Sequence, residues 1–488
     1  MWKSLRVFIE RTKTAACVGS VRADGNILSG KGVIVGVIDT GIDIFDNAFR
    51  NSDGTTRILN IYDQTTGEKY DKQSIDEYIR LNEDLSGGTF SYDNAPGVDN
   101  IMHGTDVSYI AAGSLGVAYE ADIIAVKMGY SINNQFPRTT SLMDAIDYII
   151  RKAIEYRKPV AVNISYGCNY GAHNGNTLLE SFIDDISKSY RCVICVGSGN
   201  EADKAIHFGG IINTGQVQTA YLSVGEYQSA IDIQIWKNYW DTIDVMLINP
   251  RGEQIGIITE GRINRYETYN TEIITLLGEP SPYNIYQEIY INLIPKTDYI
   301  LSGIWQIVLM AGSIRAGEYN IWLPSSQALG YATAFNNPTA DGTITIPATA
   351  RNCIAVGAYN AYTNSYAAFS GRGFDNSIRN VNAGVKPDIT APGVDISIAR
   401  QRGNDITYRN VTGTSYAVPV VTGAAALLMQ WGIVMGNDRF MYGEKLKAAL
   451  IDGSKPVGLV GITRNDNQPD PRTGWGAVCL KNTLNKIL

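Results

Sequence analysis

The chain has 488 residues, of which only three are histidines and only 18% are charged. Its net charge of −7 provides no excess of basic side chains with which to bind nucleic acid. We find no run of about 18 uncharged apolar residues, the length that a transmembrane helix needs. The first residues, MWKSLRVFIERTKTAACVGS, mix Arg and Glu with apolar residues and lack a signal-peptide core. These absences predict a soluble globular protein whose partners include neither nucleic acid nor a membrane.

Cysteine is also scarce, with six residues scattered along the chain. Cys192 and Cys195 form a C-x-x-C pair, but they lie in the apolar run CVICVGSG, which predicts a buried strand. Residues three apart on a strand point to opposite faces, which disfavours a shared metal or a redox pair. We therefore expect buried free thiols in a chain without a disulfide framework.

The first third of the chain alternates strand-like and helix-like segments. Residues 32–39 (GVIVGVID), 121–129 and 159–167 are apolar runs rich in Val, Ile and Ala, typical of strands buried on both faces. Residues 142–156 and 176–190 have the periodicity of helices. This rhythm predicts an α/β fold with a parallel sheet covered by helices.

The alternation of strand-like and helix-like segments ends near residue 214. Up to residue 340, short alternating runs separated by turn signals, such as AIDIQIW, DVMLINP and EIYINLI, predict an antiparallel β-sandwich of the jelly-roll kind. The chain is thus expected to form an α/β domain in two parts, 1–213 and 341–488, interrupted by a sandwich at 214–340. We interpret the sandwich as a packing domain that rigidifies the rest of the chain. Carbohydrate binding is the alternative, because jelly rolls also occur in lectins and the segment contains Trp236, Trp240 and Trp305.

The stretch 411–431, VTGTSYAVPVVTGAAALLMQW, places polar residues directly before an apolar helix. Pro419 is compatible with a first helical turn, where backbone N–H groups have no intrahelical partner. Ser415 would then lie at the helix N-terminus, where free N–H groups and the helix dipole stabilise negative charge. The serine is either a cap on a buried helix or a nucleophile whose developing anion meets these donors. A partner base is needed to separate the two interpretations.

The three histidines, His103, His173 and His207, keep the search for that base short. His103 stands before an apolar helical run in NIMHGTDVSYIAAGSLG and is the one best placed on a rigid element; the alternative is a structural cap. Asp39 ends the strand at 32–39, and catalytic groups gather at the carboxyl ends of parallel strands. An aspartate that bonds its own turn amides is the alternative for Asp39.

Taken together, these blocks resemble the subtilisin-like serine proteases. VIDTGID, MHGTDVSYIAAG and GTSYAVP are similar to the three catalytic blocks of that family, in its chain order of Asp, His and Ser. VNISYG, VGSGN, FSGRG and KPDITAPG extend the resemblance over most of the α/β part. The resemblance implies a serine endopeptidase acting on protein or peptide substrates. It makes Asp39 the residue that orients the base, His103 the general base, Ser415 the nucleophile and Asn200 the side-chain donor of the oxyanion hole.

The same resemblance places a specificity pocket between two segments, along which a peptide would bind as an added strand. The expected pocket residues are Ser165, Tyr166 and Gly167 on one side and Gly197, Ser198 and Gly199 on the other. Tyr166 would either narrow a subsite or pack as an ordinary strand aromatic. Glu201 would either favour a basic residue before the scissile bond or be a solvated surface residue.

The insertion departs from the usual family pattern and resembles that of the Csp germination proteases of clostridia. Those proteins activate a spore-cortex hydrolase by limited proteolysis, which implies a processing protease here, spore-associated or cytoplasmic. A mature fragment that has lost a pro-domain would instead imply secretion. Because the Csp branch includes pseudoproteases, a sensor or binding protein on the same scaffold is the alternative function.

Family members often bind calcium, but this chain has no D-x-D-x-D-G loop. Calcium is therefore the one cofactor that the resemblance suggests, but the sequence assigns no residue to a metal.

Overall fold

The computed structural model describes residues 2–19, 21–23, 25–85, 95–129, 138–256, 258, 263–282, 284–374, 385–403, 405–458 and 469–488. Within them a mainly parallel sheet is flanked by helices, and a pair of antiparallel sheets is inserted into this arrangement. The predicted fold class is thereby confirmed.

The central sheet carries the candidate site and has nine strands within the described residues. In spatial order they are Ser365–Tyr366, Ile354–Asn360, Cys192–Gly197, Val160–Ile164, Ile34–Asp39, Asp122–Lys127, Ile58–Asp63 and Lys69–Asp71, with Ile389–Pro392 pairing beside Ile354–Asn360. The two outermost pairs are antiparallel and the others are parallel. Every residue of Ile34–Asp39 is buried, which explains its continuous apolar sequence.

The α-helices of the described residues lie mainly in the α/β part. They span Trp2–Ala15, Lys72–Leu85, His103–Ala112, Thr139–Tyr156, Leu178–Ser189, Thr414–Met429, Gly443–Asp452 and Leu480–Ile487; 3₁₀ turns occur at Asn47–Phe49 and Ser326–Ala328, and a π-turn at Gln430–Val434. The helix predicted at 176–190 begins at Leu178 because Thr177 and Glu180 form a reciprocal capping box there.

The serine helix, Thr414–Met429, runs through the main core, and Ser415 is its one residue that is not buried. The sequence had suggested that Pro419 lies in the first turn of the helix. Because the helix begins at Thr414, Pro419 lies in the second turn instead. Proline has no N–H to bond the carbonyl four residues earlier, which is that of Ser415. The Ser165 hydroxyl donates to this carbonyl instead, at 3.1 Å, and so satisfies it.

Contrary to the sequence expectation, the segment Thr414–Val434 is long and apolar enough to cross a membrane by length and composition. However, 83% of its apolar window is buried inside the protein. Burial of this kind is typical of a core helix.

The inserted sandwich consists of two antiparallel sheets that share one apolar core. The five-stranded sheet contains Gln254–Ile255, Ile243–Ile248, Gly303–Ala311, Val217–Val224 and Ala334–Phe335; the six-stranded sheet contains Ile263–Glu267, Thr271–Leu277, Tyr286–Pro295, Ile231–Asn238, Glu318–Trp322 and His207–Ile211, as far as the described residues show. Alternate residues such as Leu222, Ile233 and Ile307 point into this core. The strand His207–Ile211 already belongs to the sandwich, although it precedes residue 214.

Two histidines pack against one tryptophan where the sandwich meets the α/β domain. The rings of His173 and His207 both stack on Trp322, with centroid distances of 4.1 and 4.9 Å. His173 Nδ1 lies 2.7 Å from the carbonyl oxygen of Ile344, and His207 Nε2 lies 3.0 Å from Asn320 Oδ1. Both imidazoles therefore pack and form hydrogen bonds at the junction between the two domains.

A disulfide joins Cys17, after the first helix, to Cys479, before the last one. The expectation of a chain with free thiols alone was wrong for this pair, because 462 positions separate the two residues and no local spacing indicates their contact. The remaining cysteines, Cys168, Cys192, Cys195 and Cys353, are free and buried, as predicted. Burial raises the pKa of the Cys192 and Cys195 thiols to about 12, which keeps them protonated and unreactive.

Candidate active site

Asp39 and His103 form a direct contact at the carboxyl end of the central sheet. The side chains meet with 2.6 Å between His103 Nδ1 and Asp39 Oδ1. The same carboxylate oxygen accepts the Thr40 backbone N–H at 2.8 Å, so Asp39 both bonds its own turn and orients the histidine. Gly104 is required beside them, because a Cβ at this position would lie 2.3 Å from the Gly41 carbonyl oxygen.

Asp99 holds the Asp39 turn and the start of the histidine helix, His103–Ala112, together. Its Oδ1 accepts from the Thr40 hydroxyl at 2.8 Å and from the Met102 N–H at 2.7 Å. Its Oδ2 accepts from both the backbone N–H and the hydroxyl of Thr105, at 2.8 and 2.7 Å. Asp99 therefore fixes the position of the Asp39 turn relative to His103, a role that the sequence did not indicate.

An ion cluster around the buried Asp106 also supports the histidine helix. Asp106, one turn after His103, pairs with Arg400 and Arg409, which lie on the hairpin Ile396–Arg402/Asp405–Val411. Arg400 also donates to the carbonyl of Met102, at 2.8 Å. Met102 has a left-handed backbone with φ of 67°, and its two bonds to Arg400 and Asp99 stabilise that conformation.

Ser415 lies at the start of the serine helix, next in sequence to a residue that contacts His103. Tyr416, the next residue, packs its ring 5.3 Å from the imidazole of His103. Within the described residues the Ser415 hydroxyl is not hydrogen-bonded to His103, and it is directed at the Ser165 carbonyl, 3.5 Å away. Long or misaligned nucleophile–base contacts are common in a site without substrate.

Asn200 contacts the residue immediately before Ser415. Its Oδ1 accepts from the backbone N–H and the hydroxyl of Thr414, at 2.9 and 3.0 Å. Because both partners are donors, the other end of the amide must be its NH₂ group. A Cβ at Gly413 would lie 3.6 Å from Asn200 Nδ2, so the glycine leaves the space before this donor open.

The segments predicted to flank the specificity pocket converge on Thr345, which the sequence reasoning did not single out. A Cβ added at Gly167 would lie 2.3 Å from Thr345 Oγ1, and one at Gly199 would lie 2.4 Å from Thr345 Cγ2. Thr345 is almost wholly buried, and its hydroxyl has no hydrogen-bond partner among the described residues. The other predicted pocket residues support this region: Ser165 bonds Ser415, Ser198 is buried against Ser370, and Gly197 faces Thr414.

The structure shows the surroundings of both Tyr166 and Glu201. Tyr166 lies two residues beyond the strand Val160–Ile164 and packs, half-buried, against an apolar cluster. Glu201 is buried, so the expectation of a solvated surface residue was wrong. It accepts hydrogen bonds from Ser326 of the inserted sandwich, and a neighbour so distant in sequence could not be foreseen.

The electrostatics of the site favour a charged imidazole. Burial alone would lower the pKa of His103, but the adjacent Asp39 carboxylate, with Asp99 and Asp106 beyond it, raises this pKa above its ordinary value. The neighbouring carboxylates would therefore stabilise the imidazolium that forms when His103 takes a proton.

Peptidase activity is expected to fall as the pH is lowered through the raised pKa of His103, because only the neutral imidazole accepts a proton. The acid limb of kcat/KM should thus have its midpoint above about 6.5, the ordinary value for histidine. In Asp39→Asn the midpoint should move down and kcat should fall by about 10⁴, the loss known for this change in a serine protease of another fold. A pH–rate profile checks both, with Asp63→Asn as the control. Asp63 is a buried aspartate at the end of the strand Ile58–Asp63, which one other strand separates from the strand of Asp39. An unchanged midpoint in Asp39→Asn would contradict the assignment.

No group of three or more His, Cys, Asp or Glu side chains is arranged to hold a metal ion in the parts of the chain that the structure covers.

The subtilase family matches residues 30–281 and 316–476, which is most of the chain. Together with the fold and the paired Asp39 and His103, this match defines the class: the chain belongs to the subtilase family of serine proteases, as its motifs indicated.

The whole architecture, insertion included, is similar to the structure of the Clostridium perfringens CspB protease. The two chains are 34% identical with a TM-score of 0.86, over 97% of this chain and 96% of that one. The predicted resemblance to the Csp branch is thereby confirmed.

Curated relatives match shorter stretches. Subtilisin E of Bacillus subtilis is 38% identical over 107 residues, which is 22% of this chain and 24% of that protein. The subtilase-type proteinase RRT12 of Saccharomyces cerevisiae is 33% identical over 128 residues, 26% of this chain and 23% of that protein. The chain thus spans about a quarter of the length of these relatives.

Proposed function

We propose that the chain is an active serine endopeptidase, with Ser415 as nucleophile, His103 as general base, Asp39 as its orienting acid and Asn200 as an oxyanion donor. The contact between His103 and Asp39 carries the proposal, because it fixes the imidazole with Nδ1 on the carboxylate and leaves Nε2 for the nucleophile.

In the proposed reaction, His103 takes the Ser415 proton as the serine oxygen attacks the peptide carbonyl. The N-terminus of the serine helix and the Asn200 amide then stabilise the oxyanion. His103 returns the proton to the leaving amine, and water releases the acyl group by the same steps in reverse.

Labelling of the purified protein with a fluorophosphonate, followed by peptide mapping, tests this function. Such a probe reacts only with a serine that a neighbouring base activates. The expected result is one modified peptide that contains Ser415. Absence of labelling together with absence of peptide hydrolysis would favour the sensor or binding protein on the same scaffold.

We further propose that the enzyme is selective, as limited processing requires, and that Thr345 limits its pocket to short polar side chains. Thr345 fills the space between Gly167 and Gly199, so a long side chain would collide with it. A substrate hydroxyl or amide would also give the buried Thr345 hydroxyl the partner that it lacks among the described residues.

Thr345→Gly is therefore expected to raise kcat/KM for peptides with Leu or Phe before the scissile bond by about 10–200-fold relative to those with Ser, the range that pocket size commonly controls. Thr345→Val keeps the shape but removes the hydroxyl, and should weaken the preference for Ser over Ala. A peptide set that varies this one residue provides the measurement. If the wild type and both variants had the same relative kcat/KM values across this peptide set, Thr345 would not form the specificity pocket.

A further inference from the structure

We propose that Glu201 is a positioning residue for the oxyanion donor Asn200, and that Ser326 of the inserted sandwich holds Glu201 in place. This inference rests on the proposed peptidase function. It assigns the insertion a part in catalysis, which the sequence reasoning had limited to the α/β domain.

The contact between Glu201 and Ser326 is short and buried. The Ser326 backbone N–H donates to Glu201 Oε2 at 3.0 Å, and its hydroxyl donates to Oε1 at 3.3 Å. Only 7% of Glu201 is exposed, and burial raises the pKa of its carboxyl above the ordinary range. A carboxylate in such a place is costly unless it is hydrogen-bonded, so the two donors from Ser326 stabilise this conformation.

Asn200 and Glu201 are consecutive, so their side chains share one short piece of backbone. Asn200 is held on the α/β side through Thr414, and Glu201 is held on the sandwich side through Ser326. The flanking backbone is tied to the α/β domain as well, because the Gly371 N–H donates to the Gly199 carbonyl at 2.9 Å. The direction of the Asn200 amide therefore depends on anchors from both domains.

Other backbone bonds join the same loop to the sandwich. The Phe335 N–H donates to the Ala205 carbonyl at 2.9 Å, and the Leu323 N–H donates to the Ile206 carbonyl at 3.0 Å. Residues 321–335 thus pack along the loop that follows Asn200. The insertion therefore reaches the oxyanion segment through Ser326 and these two backbone bonds.

Glu201→Ala in the full-length protein tests the proposal with a peptide substrate. We expect kcat to fall by about tenfold with KM within about twofold, because an oxyanion donor acts in the transition state and not in substrate binding. The rate of fluorophosphonate labelling should fall in parallel. Glu201→Gln should keep most of the activity, since its amide oxygen can still accept from Ser326. Ser326→Ala, which keeps the backbone donor, should lower kcat less than Glu201→Ala, and Ser325→Ala serves as the neighbouring control.

A double-mutant cycle separates positioning from a general loss of structure. On an Asn200→Ala background, Glu201→Ala should cause no further fall in kcat, because the group that it positions is gone. Equal falls on both backgrounds, a rise in KM at constant kcat, or unchanged kinetics in both Glu201→Ala and Ser326→Ala would each overturn the proposal. The proposed peptidase function survives those results, since it fails only if the wild type neither cleaves peptide nor reacts with the probe.

Discussion

Replacing Ser415 with alanine is expected to lower kcat for a peptide substrate by about 10⁶, the loss measured when the nucleophile is removed from subtilisin, a relative in the same family. The change removes a single oxygen from the one residue of the serine helix that is not buried. The fold should therefore remain intact, and the free energy of unfolding should stay within about 0.5 kcal/mol of the wild-type value, as for most changes away from the core.

The measurement is steady-state hydrolysis by the purified variant, together with fluorophosphonate labelling. Ser74→Ala, an exposed serine at the start of the helix Lys72–Leu85, provides the matched control and should label like the wild type. Substantial residual hydrolysis in Ser415→Ala would show that another residue is the nucleophile.

His103→Asn is expected to be almost as damaging, with kcat lower by about 10⁶, because the triad acts as a unit and loss of the base alone removes most of its effect. Asparagine keeps a polar side chain near Asp39 but cannot accept the serine proton. The variant should still bind substrate, so KM should change far less than kcat.

His173→Asn and His207→Asn are the natural controls, since they complete the set of three histidines. Both should retain kcat within about tenfold. They should nevertheless lower the free energy of unfolding by about 1–3 kcal/mol, because each imidazole is buried, hydrogen-bonded and stacked on Trp322. An inactive His207→Asn beside an active His103→Asn would overturn the assignment of the base.

The elements around the site could be predicted where burial is continuous. Ile34–Asp39 and Cys192–Gly197 are covered on both faces, so their sequences are apolar without interruption and indicate central parallel strands. The hairpin Ile396–Arg402/Asp405–Val411 was missed, since much of its second strand is exposed and polar. Strands of that kind have no strong apolar pattern.

The site could be predicted only as far as its motifs extend. Asp39, His103, Ser415 and Asn200 each stand in a short block with its own local signature. Their supporting contacts have none, because the partners are distant in sequence: Arg400 and Asp106 are 294 positions apart, and Glu201 and Ser326 are 125 apart. Interactions of this kind become visible only when the chain is folded.

The bond between Cys17 and Cys479 turns almost the whole polypeptide into a covalent ring. A ring cut once is still a single molecule, so one break in any loop between these residues would leave the two pieces tied together. Electrophoresis without reductant would then show one species of full mass, and reductant would release two fragments. Because tethered ends remain at high effective concentration, the cut chain could also unfold and refold as one molecule. A single cut anywhere within the ring would therefore release neither piece while the disulfide remains.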